Sequence, residues 1–380
     1  MHIFDIHAVG LAGATPKGGW SDELRPEYTV HTLVFVRTDE GATGVGSVFT
    51  NAALVRAALT VMEPLYRGEN ALEPERVSEK LHQNTFWMGR GGSLTHTISG
   101  IDIALWDILG QVTGQPVGRL LGGRYRERVR PYASLLMEQP EALAEHLTEI
   151  ATRGFRAFKI GWGPFGRESD ALDERVVRAA REAVGPDAQL MVDAGGSDAF
   201  WANGLKWALR TAEMLAAYDV AWFEEPLRPD ALDDFVILRR QAPLPIAGGE
   251  VLTRRQAFLP WLQAGAFDLV QPDVTKVGGI SEERRIGWMA QEHGVRFIPH
   301  GWNTAIGLAA DLQLSSAFSD TDFVEYIDGS PYVDEIVAEP WRLDDDGMLA
   351  IPDGPGLGVR LDMDAVARYA DAPVTWTAND

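Results

Sequence analysis

The chain has 380 residues, 46% hydrophobic and 23% charged, enough apolar side chain for a sizeable core and no signature of disorder. Its formal net charge of −21 disfavours nucleic acid or an anionic membrane surface as partner, and the lack of cysteine excludes disulfides, thiolate metal sites and a Cys nucleophile. MHIFDIHAVG lacks the basic-then-apolar pattern of a signal peptide, and no run of about 18 uncharged apolar residues is present, so a cytoplasmic protein without membrane contact is expected.

The first part reads as α+β. IFDIHAVG, HTLVFVRT and TGVGSVF are strand patterns, the latter two separated by the turn-like Asp39-Glu40-Gly41. Helical patterns follow over Ala52–Tyr66, Glu73–Gln83 and Leu94–Thr113; in the last, Ile98, Ile101, Ala104, Leu105 and Ile108 form one apolar face. From about Arg128 strands and helices alternate. RVRPYASL, FRAFKIG, QLMVDAG, AWFEEP, PIAGGE, DLVQPD, RFIPHG and DFVEYI read as strands, with helical patterns such as Asp173–Ala183, Lys206–Tyr218, Arg254–Ala264 and Glu282–His293 between them. Eight strands in this rhythm favour a parallel (β/α)₈ barrel over an open sheet. After Ile327 the rhythm stops, and DDDGMLAIPDGPGLGVRLD reads as loops and short strands returning to the N-terminal region. The expected domains are 1–125, an α+β cap; 126–330, the barrel; and 331–380, the return packing on the cap.

Five of the barrel runs end in Asp193, Glu224, Glu250, Asp273 and His300, spaced 31, 26, 23 and 27 residues apart. One strand–helix unit takes about 30 residues, so these side chains gather at one end of one sheet, the end where barrel active sites sit. Asp193, Glu224 and Glu250 supply hard oxygens suited to Mg²⁺, with zinc a poorer match. Any one strand-end acid alone is more often a helix cap or a solvated loop residue; three in consecutive units would repel without a cation. Asp273 can fix the tautomer of His300 and leave its other nitrogen as a base, whereas the other seven histidines lie in no such setting. Lys159 shares a strand face with Ala157 and Gly161 and, pointing inward, could neutralise a substrate carboxylate. Glu325 could face the site from the last strand as a hydrogen-bond donor if protonated.

These residues resemble the enolase superfamily, specifically its mandelate racemase subgroup. SGIDIALWDILGQVTGQPVGRLLGG resembles the end of that family's capping domain and IPDGPGLGV its C-terminal return; VDAG, WFEEPL, GGE, QPD, KVGGI and PH resemble its barrel motifs in order. The resemblance implies an α+β capping domain, completed by the C-terminal segment, over a modified (β/α)₇β barrel without a full eighth helix. It also implies Mg²⁺ on Asp193, Glu224 and Glu250, a His300–Asp273 dyad, and Glu325 as donor to the substrate carboxylate. Proton abstraction beside that carboxylate, with the metal stabilising the enediolate, is the shared first step. Two departures stand out. GFRAFKIG places Lys159 at the first Lys of the family's Lys-x-Lys with Gly161 at the second, while a register anchored on KIG would make Lys159 the second. Gly195 in VDAG stands where many members have Asn.

With His300 as single base, β-elimination is simpler than inversion: His300 removes the C2 proton and, as imidazolium, protonates the departing 3-hydroxyl. The expected function is therefore Mg²⁺-dependent dehydration of an aldonate or aldarate with R configuration at C2, giving a 2-keto-3-deoxy acid for carbohydrate catabolism. The alternatives are a racemase, epimerase or lactone cycloisomerase using Lys159 as second base, and a metal-binding scaffold without chemistry. Gly18–Ser21 and Val48–Thr50 are expected to close over the barrel mouth, and Trp20, Thr50, Trp302 and Asn303 to touch a small carboxylate substrate. A homo-oligomer is implied by the resemblance.

Overall fold

The structure, a computed structural model, describes residues 1–12, 30–198 and 201–374. Three antiparallel strands, β1 (Ile3–Leu11), β2 (His31–Thr38) and β3 (Thr43–Phe49), form a meander in that order. Against it lie α1 (Ala52–Tyr66), α2 (Pro74–Asn84) and α3 (Ser93–Thr113). Val34, Val36 and Val48 of the sheet bury against Ile98, Ile101 and Leu105, the apolar face read from the sequence of α3. The approach is close because β3 offers no side chain there: a Cβ at Gly46 would stand 1.9 Å from the Gly100 carbonyl oxygen, and one at Gly44 2.1 Å from that of Ala104. A short α4 (Val117–Leu120) leads out of this layer.

The second part alternates β4 (Arg128–Leu136), α5 (Pro140–Thr152), β5 (Ala157–Gly161), α6 (Asp170–Val184), β6 (Gln189–Asp193), α7 (Leu205–Ala217), β7 (Val220–Glu224) and α8 (Leu232–Gln241). It continues with β8 (Ile246–Gly248), α9 (Arg254–Ala264), β9 (Leu269–Val270), α10 (Ile280–Glu292), β10 (Arg296–Phe297), α11 (Ala305–Ser316) and β11 (Phe323–Ile327). Neighbouring strands pair in parallel from β4 to β10, and β11 pairs with β4 on its other side, so the sheet curls into a barrel. Helix α6 shows why these segments are helical: Ser169 caps Leu172 N–H, Asp170 and Asp173 sit in the first turn, and Leu172, Val176, Val177 and Ala180 face the core.

After β11 comes only the four-residue α12 (Pro331–Asp334), so among the described residues no full eighth helix closes the barrel. The (β/α)₈ expectation gives way to (β/α)₇β, as the family resemblance implied. The chain then adds β12 (Leu349–Ala350) antiparallel to β4, and the last helix among the described residues is α13 (Met363–Tyr369). Beyond α13, Asp371 bonds the Gly10 N–H (2.9 Å) and Arg56 (2.6 and 2.9 Å), closing the return onto β1 and α1.

Inside the barrel Tyr132, Ala157, Met191, Trp222, Ala247, Leu269 and Ile298 pack with Phe323 as one cross-layer. Side chains two apart share a strand face, so the next inward positions are Ser134, Lys159, Asp193, Glu224, Gly249, Gln271, His300 and Glu325. The apolar layer is the floor on which the polar site stands.

Candidate active site

Asp193, Glu224 and Glu250 are all buried, and each offers a ligand oxygen within 4.8 Å of the others. Glu250 is out of phase, since alternation along β8 would send it outward with Ile246 and Gly248. Gly249, at φ +119°, redirects the chain and brings the carboxylate in. Asp193 and Glu224 are held by neighbouring donors. Asp193 Oδ1 accepts the Gly195 N–H (2.7 Å). Glu224 Oε1 accepts from Lys159 Nζ (2.5 Å), and its Oε2 accepts from both Trp222 Nε1 (2.9 Å) and Gln271 Nε2 (2.8 Å). Burial, then the neighbouring Glu224, push the Asp193 carboxyl well above its ordinary range. Three buried carboxylates crowded this closely fit a hard divalent cation.

Lys159 is locked rather than free. Its ammonium also stands 2.9 Å from Glu325 Oε1 and 3.9 Å from Asp193. Burial alone would lower its pKa, but Glu224 and Glu325 outweigh burial and hold it well above the ordinary lysine value. Gly161 lies one inward step nearer the mouth, where a Cβ would meet that of Asp193 at 3.0 Å. Gly195, at φ +62°, is covered by the Trp162 ring: an added Cβ would come within 2.5 Å of it, so this chain fills with an aromatic the space an Asn side chain would need.

Asp273 and His300 are bridge partners on adjacent strands, with the His300 N–H bonded to Pro272 O (2.9 Å). Asp273 Oδ1 takes two bonds from Thr275, backbone N–H (2.7 Å) and hydroxyl (2.6 Å), which leaves Oδ2 for His300 Nδ1 at 2.8 Å. Nδ1 therefore carries the proton and Nε2 faces the acids, 2.9 Å from Glu250 Oε2. Burial would lower the His300 pKa; Glu250 and Glu325 reverse that and hold it well above the usual histidine range. Lys276 completes the group, 3.5 Å from Asp273 and 3.7 Å from Glu250, with its ammonium over the Phe49 ring at 4.5 Å.

Glu325 stands beside Lys159 and His300, 2.9 Å and 3.8 Å away. Its Oε2 accepts the Gly301 N–H (2.8 Å), and against the effect of burial Lys159 and His300 hold its pKa below the ordinary value. Thr50 ends the β3 segment with its hydroxyl donated to Phe49 O (2.6 Å) and bonded to His96 Nδ1 (2.6 Å). The Asn303 amide, 1% exposed, turns to Asp311 (3.3 Å). Trp302, two residues after His300, is partly exposed, and Trp20, with the rest of Gly18–Ser21, lies outside the described residues. Gln271, Lys276, Trp222 and His96 were not singled out from the sequence. Gln271 and Trp222 could have been, because each stands two residues from an acid of the ladder on the same strand face.

Known proteins resemble this chain over most of its length. Residues 142–365 match the family described as enolase C-terminal domain-like, and residues 27–122 match the mandelate racemase / muconate lactonizing enzyme N-terminal domain. The chain is 35% identical to a D-galactarolactone cycloisomerase of Agrobacterium fabrum, over 92% of this chain and 93% of that one. It is 32% identical to a D-xylonate dehydratase of Haloferax volcanii, over 96% and 93%. The crystal structure of a 3,6-anhydro-D-galactonate cycloisomerase from Zobellia galactanivorans superposes with a TM-score of 0.87 at 29% identity, covering 98% of this chain and 100% of that chain.

Proposed function

The chain belongs to the enolase superfamily, in its mandelate racemase subgroup, and from that premise we propose that it is a lyase that removes the 3-oxygen of a sugar acid by β-elimination. The observation that carries this reading is the single oriented base. His300 Nε2 faces the acid triad, while Lys159 on the other side is committed as a cation to Glu224 and Glu325. The relatives named as dehydratases of xylonate, arabinonate and galactonate support dehydration of an aldonate or aldarate.

A divalent cation, Mg²⁺ by the hardness of the donors, held by Asp193, Glu224 and Glu250 would neutralise Glu250, loosen the proton on His300 Nε2 and draw charge from the substrate carboxylate. His300 then takes the proton from C2, with Asp273 stabilising the imidazolium that forms. Lys159 offsets the negative charge that develops on the carboxylate oxygens. In its protonated form Glu325 would donate a hydrogen bond to those oxygens. The imidazolium returns its proton to the oxygen leaving C3, so one residue serves both steps.

A second reading draws on the relatives named as cycloisomerases. If the oxygen on C3 belongs to a ring, the same elimination opens the ring and yields an isomer without loss of water. It needs no second base from Lys159. Incubating the protein and Mg²⁺ with aldonates, aldarates and their lactones and anhydro forms, and weighing the 2-keto products, separates the two. A product lighter by one water supports dehydration, and one of unchanged mass supports ring opening. C2 deuterium exchange with no 2-keto product from any acid would defeat both.

A further inference from the structure

Helix α3 lays one face on the loop that follows Asp273 and Lys276 and on the start of α10. Ser99 Oγ accepts the Gly278 N–H (2.8 Å), Asp102 accepts from Ser281 N–H and hydroxyl (2.9 and 2.6 Å), and Trp106 Nε1 donates to Ser281 Oγ (3.0 Å). His96 is three residues before Ser99 on the same face, which aims it at the segment carrying Lys276. Its ring touches the end of β3: Nδ1 lies 2.6 Å from Thr50 Oγ1 and 3.1 Å from Phe49 O, and Lys276 sits over the Phe49 ring. His96, Phe49, Lys276 and Asp273 thus form one wall running from the capping layer down to the catalytic dyad.

The partners of His96 fix its tautomer. The single Thr50 hydroxyl proton goes to Phe49 O at 2.6 Å, so Thr50 Oγ1 accepts from Nδ1, and the Phe49 carbonyl can only accept. Nδ1 therefore bears the hydrogen and Nε2 the lone pair. Nε2 makes no hydrogen bond to any described residue and is not sealed from solvent. Burial and then Lys276 push the pKa of this ring down to about 4, so it accepts and does not donate at neutral pH.

We propose that His96 is a substrate-binding residue whose Nε2 accepts a hydrogen bond from a hydroxyl of the substrate's polyol chain, beyond the carbons that react. Every sugar acid carries such donors, whereas the acids and lysines of the barrel floor serve the carboxylate and the proton. The assignment deepens the β-elimination reading and rests on its polyhydroxy-acid substrate.

The test compares wild type with His96→Asn, which keeps an amide donor where Nδ1 stood and removes Nε2, and with His96→Gln, which restores an acceptor near Nε2. On any aldonate or aldarate that turns over, His96→Asn is expected to raise KM roughly threefold to tenfold, the worth of one neutral hydrogen bond, with kcat changed less than about twofold. His96→Gln should fall between. An unchanged KM in His96→Asn overturns the proposal. In parallel, ¹⁵N-histidine-labelled wild type with Mg²⁺ is titrated with gluconate, galactonate, xylonate and galactarate. If none turns over yet the His96 Nε2 resonance moves, the lyase reading fails and the His96 assignment stands. If that resonance moves with none of them, the assignment is overturned, including where His96→Asn proves unfolded by its melting curve.

Discussion

At the residue scale, the site is a set of side chains fixed by their neighbours. Thr275 fixes Asp273, and Asp273 fixes His300. Asp273→Asn keeps the shape but offers His300 the wrong partner. The rate of C2 proton exchange should fall about 10²- to 10⁴-fold, with substrate binding nearly unchanged. Glu224 has three donors, so Gln271→Leu should weaken its hold and loosen Mg²⁺ binding, read by calorimetry without any substrate. Stripping divalent ions should lower the melting temperature, and Mg²⁺ at about 100 times its Kd should restore about 2.7 kcal/mol of stability. A melting curve indifferent to Mg²⁺ would count against a cation on the three acids. Much of this was legible in the sequence, because strand alternation carries an apolar floor residue to a functional residue two positions on. Glu250 obeys a different rule, set by Gly249. His96 was not legible: the bonds that orient it come from β3, 46 residues earlier for Thr50.

At the scale of elements, the sequence placed β1 to β3 and α1 to α3 within a residue or two but overstated the late barrel strands. DLVQPD and RFIPHG pair as strands over Leu269–Val270 and Arg296–Phe297 alone. Pro272 and Pro299 lack the N–H a ladder needs, and what survives beyond them is the bridge between Asp273 and His300. Losing the ladder there frees the segment to turn its side chains into the mouth. The β3–α3 contact depends instead on an absence of side chains. Gly46→Ala would drive a methyl into a backbone carbonyl that cannot move alone, costing about 1–3 kcal/mol or more. Urea unfolding should show it as a lowered midpoint, with the barrel acids untouched.

At the scale of the molecule, capping layer and barrel are joined by buried polar groups whose charge states are set by burial. Asp102 is pushed up to about 6 by burial, while His82, beside the Gly278 turn, is pushed down to about 3 by burial and then by Arg254, Arg255 and Arg285. A free histidine titrates near 6.5, so between that pH and about 3 the unfolded chain binds a proton at His82 that the folded protein refuses. The stability tied to a neutral His82 is present above pH 6.5 and is lost as the pH falls. Relative to His82→Gln, the wild type should lose about 1.4 kcal/mol per pH unit between pH 6 and 4. Equal slopes for the two proteins in denaturant titrations would contradict this. The net charge of −21 says nothing of the site, where Lys159, Lys276 and His300 stand among the acids. The return of the C-terminal segment to the start of the chain was foreseeable from its broken rhythm. The partners were not, because an Asp, an Arg and a glycine N–H carry no pattern.

That return has a consequence in time. Among the described residues β1 is an edge strand, and its end is covered by Ala370 bridged to Leu11, the Ala12 N–H on Tyr369 O and the Asp371 N–H on Gly10 O. During synthesis residue 10 emerges long before residue 371 exists, so the nascent sheet waits with that stretch of edge unpaired while the whole barrel is being made. An unpaired edge is a template for another chain. Crowded ribosomes translating this message therefore bring together sheets that are sticky until the last helix arrives, and a nascent-chain chaperone holding that edge would raise the yield of folded protein.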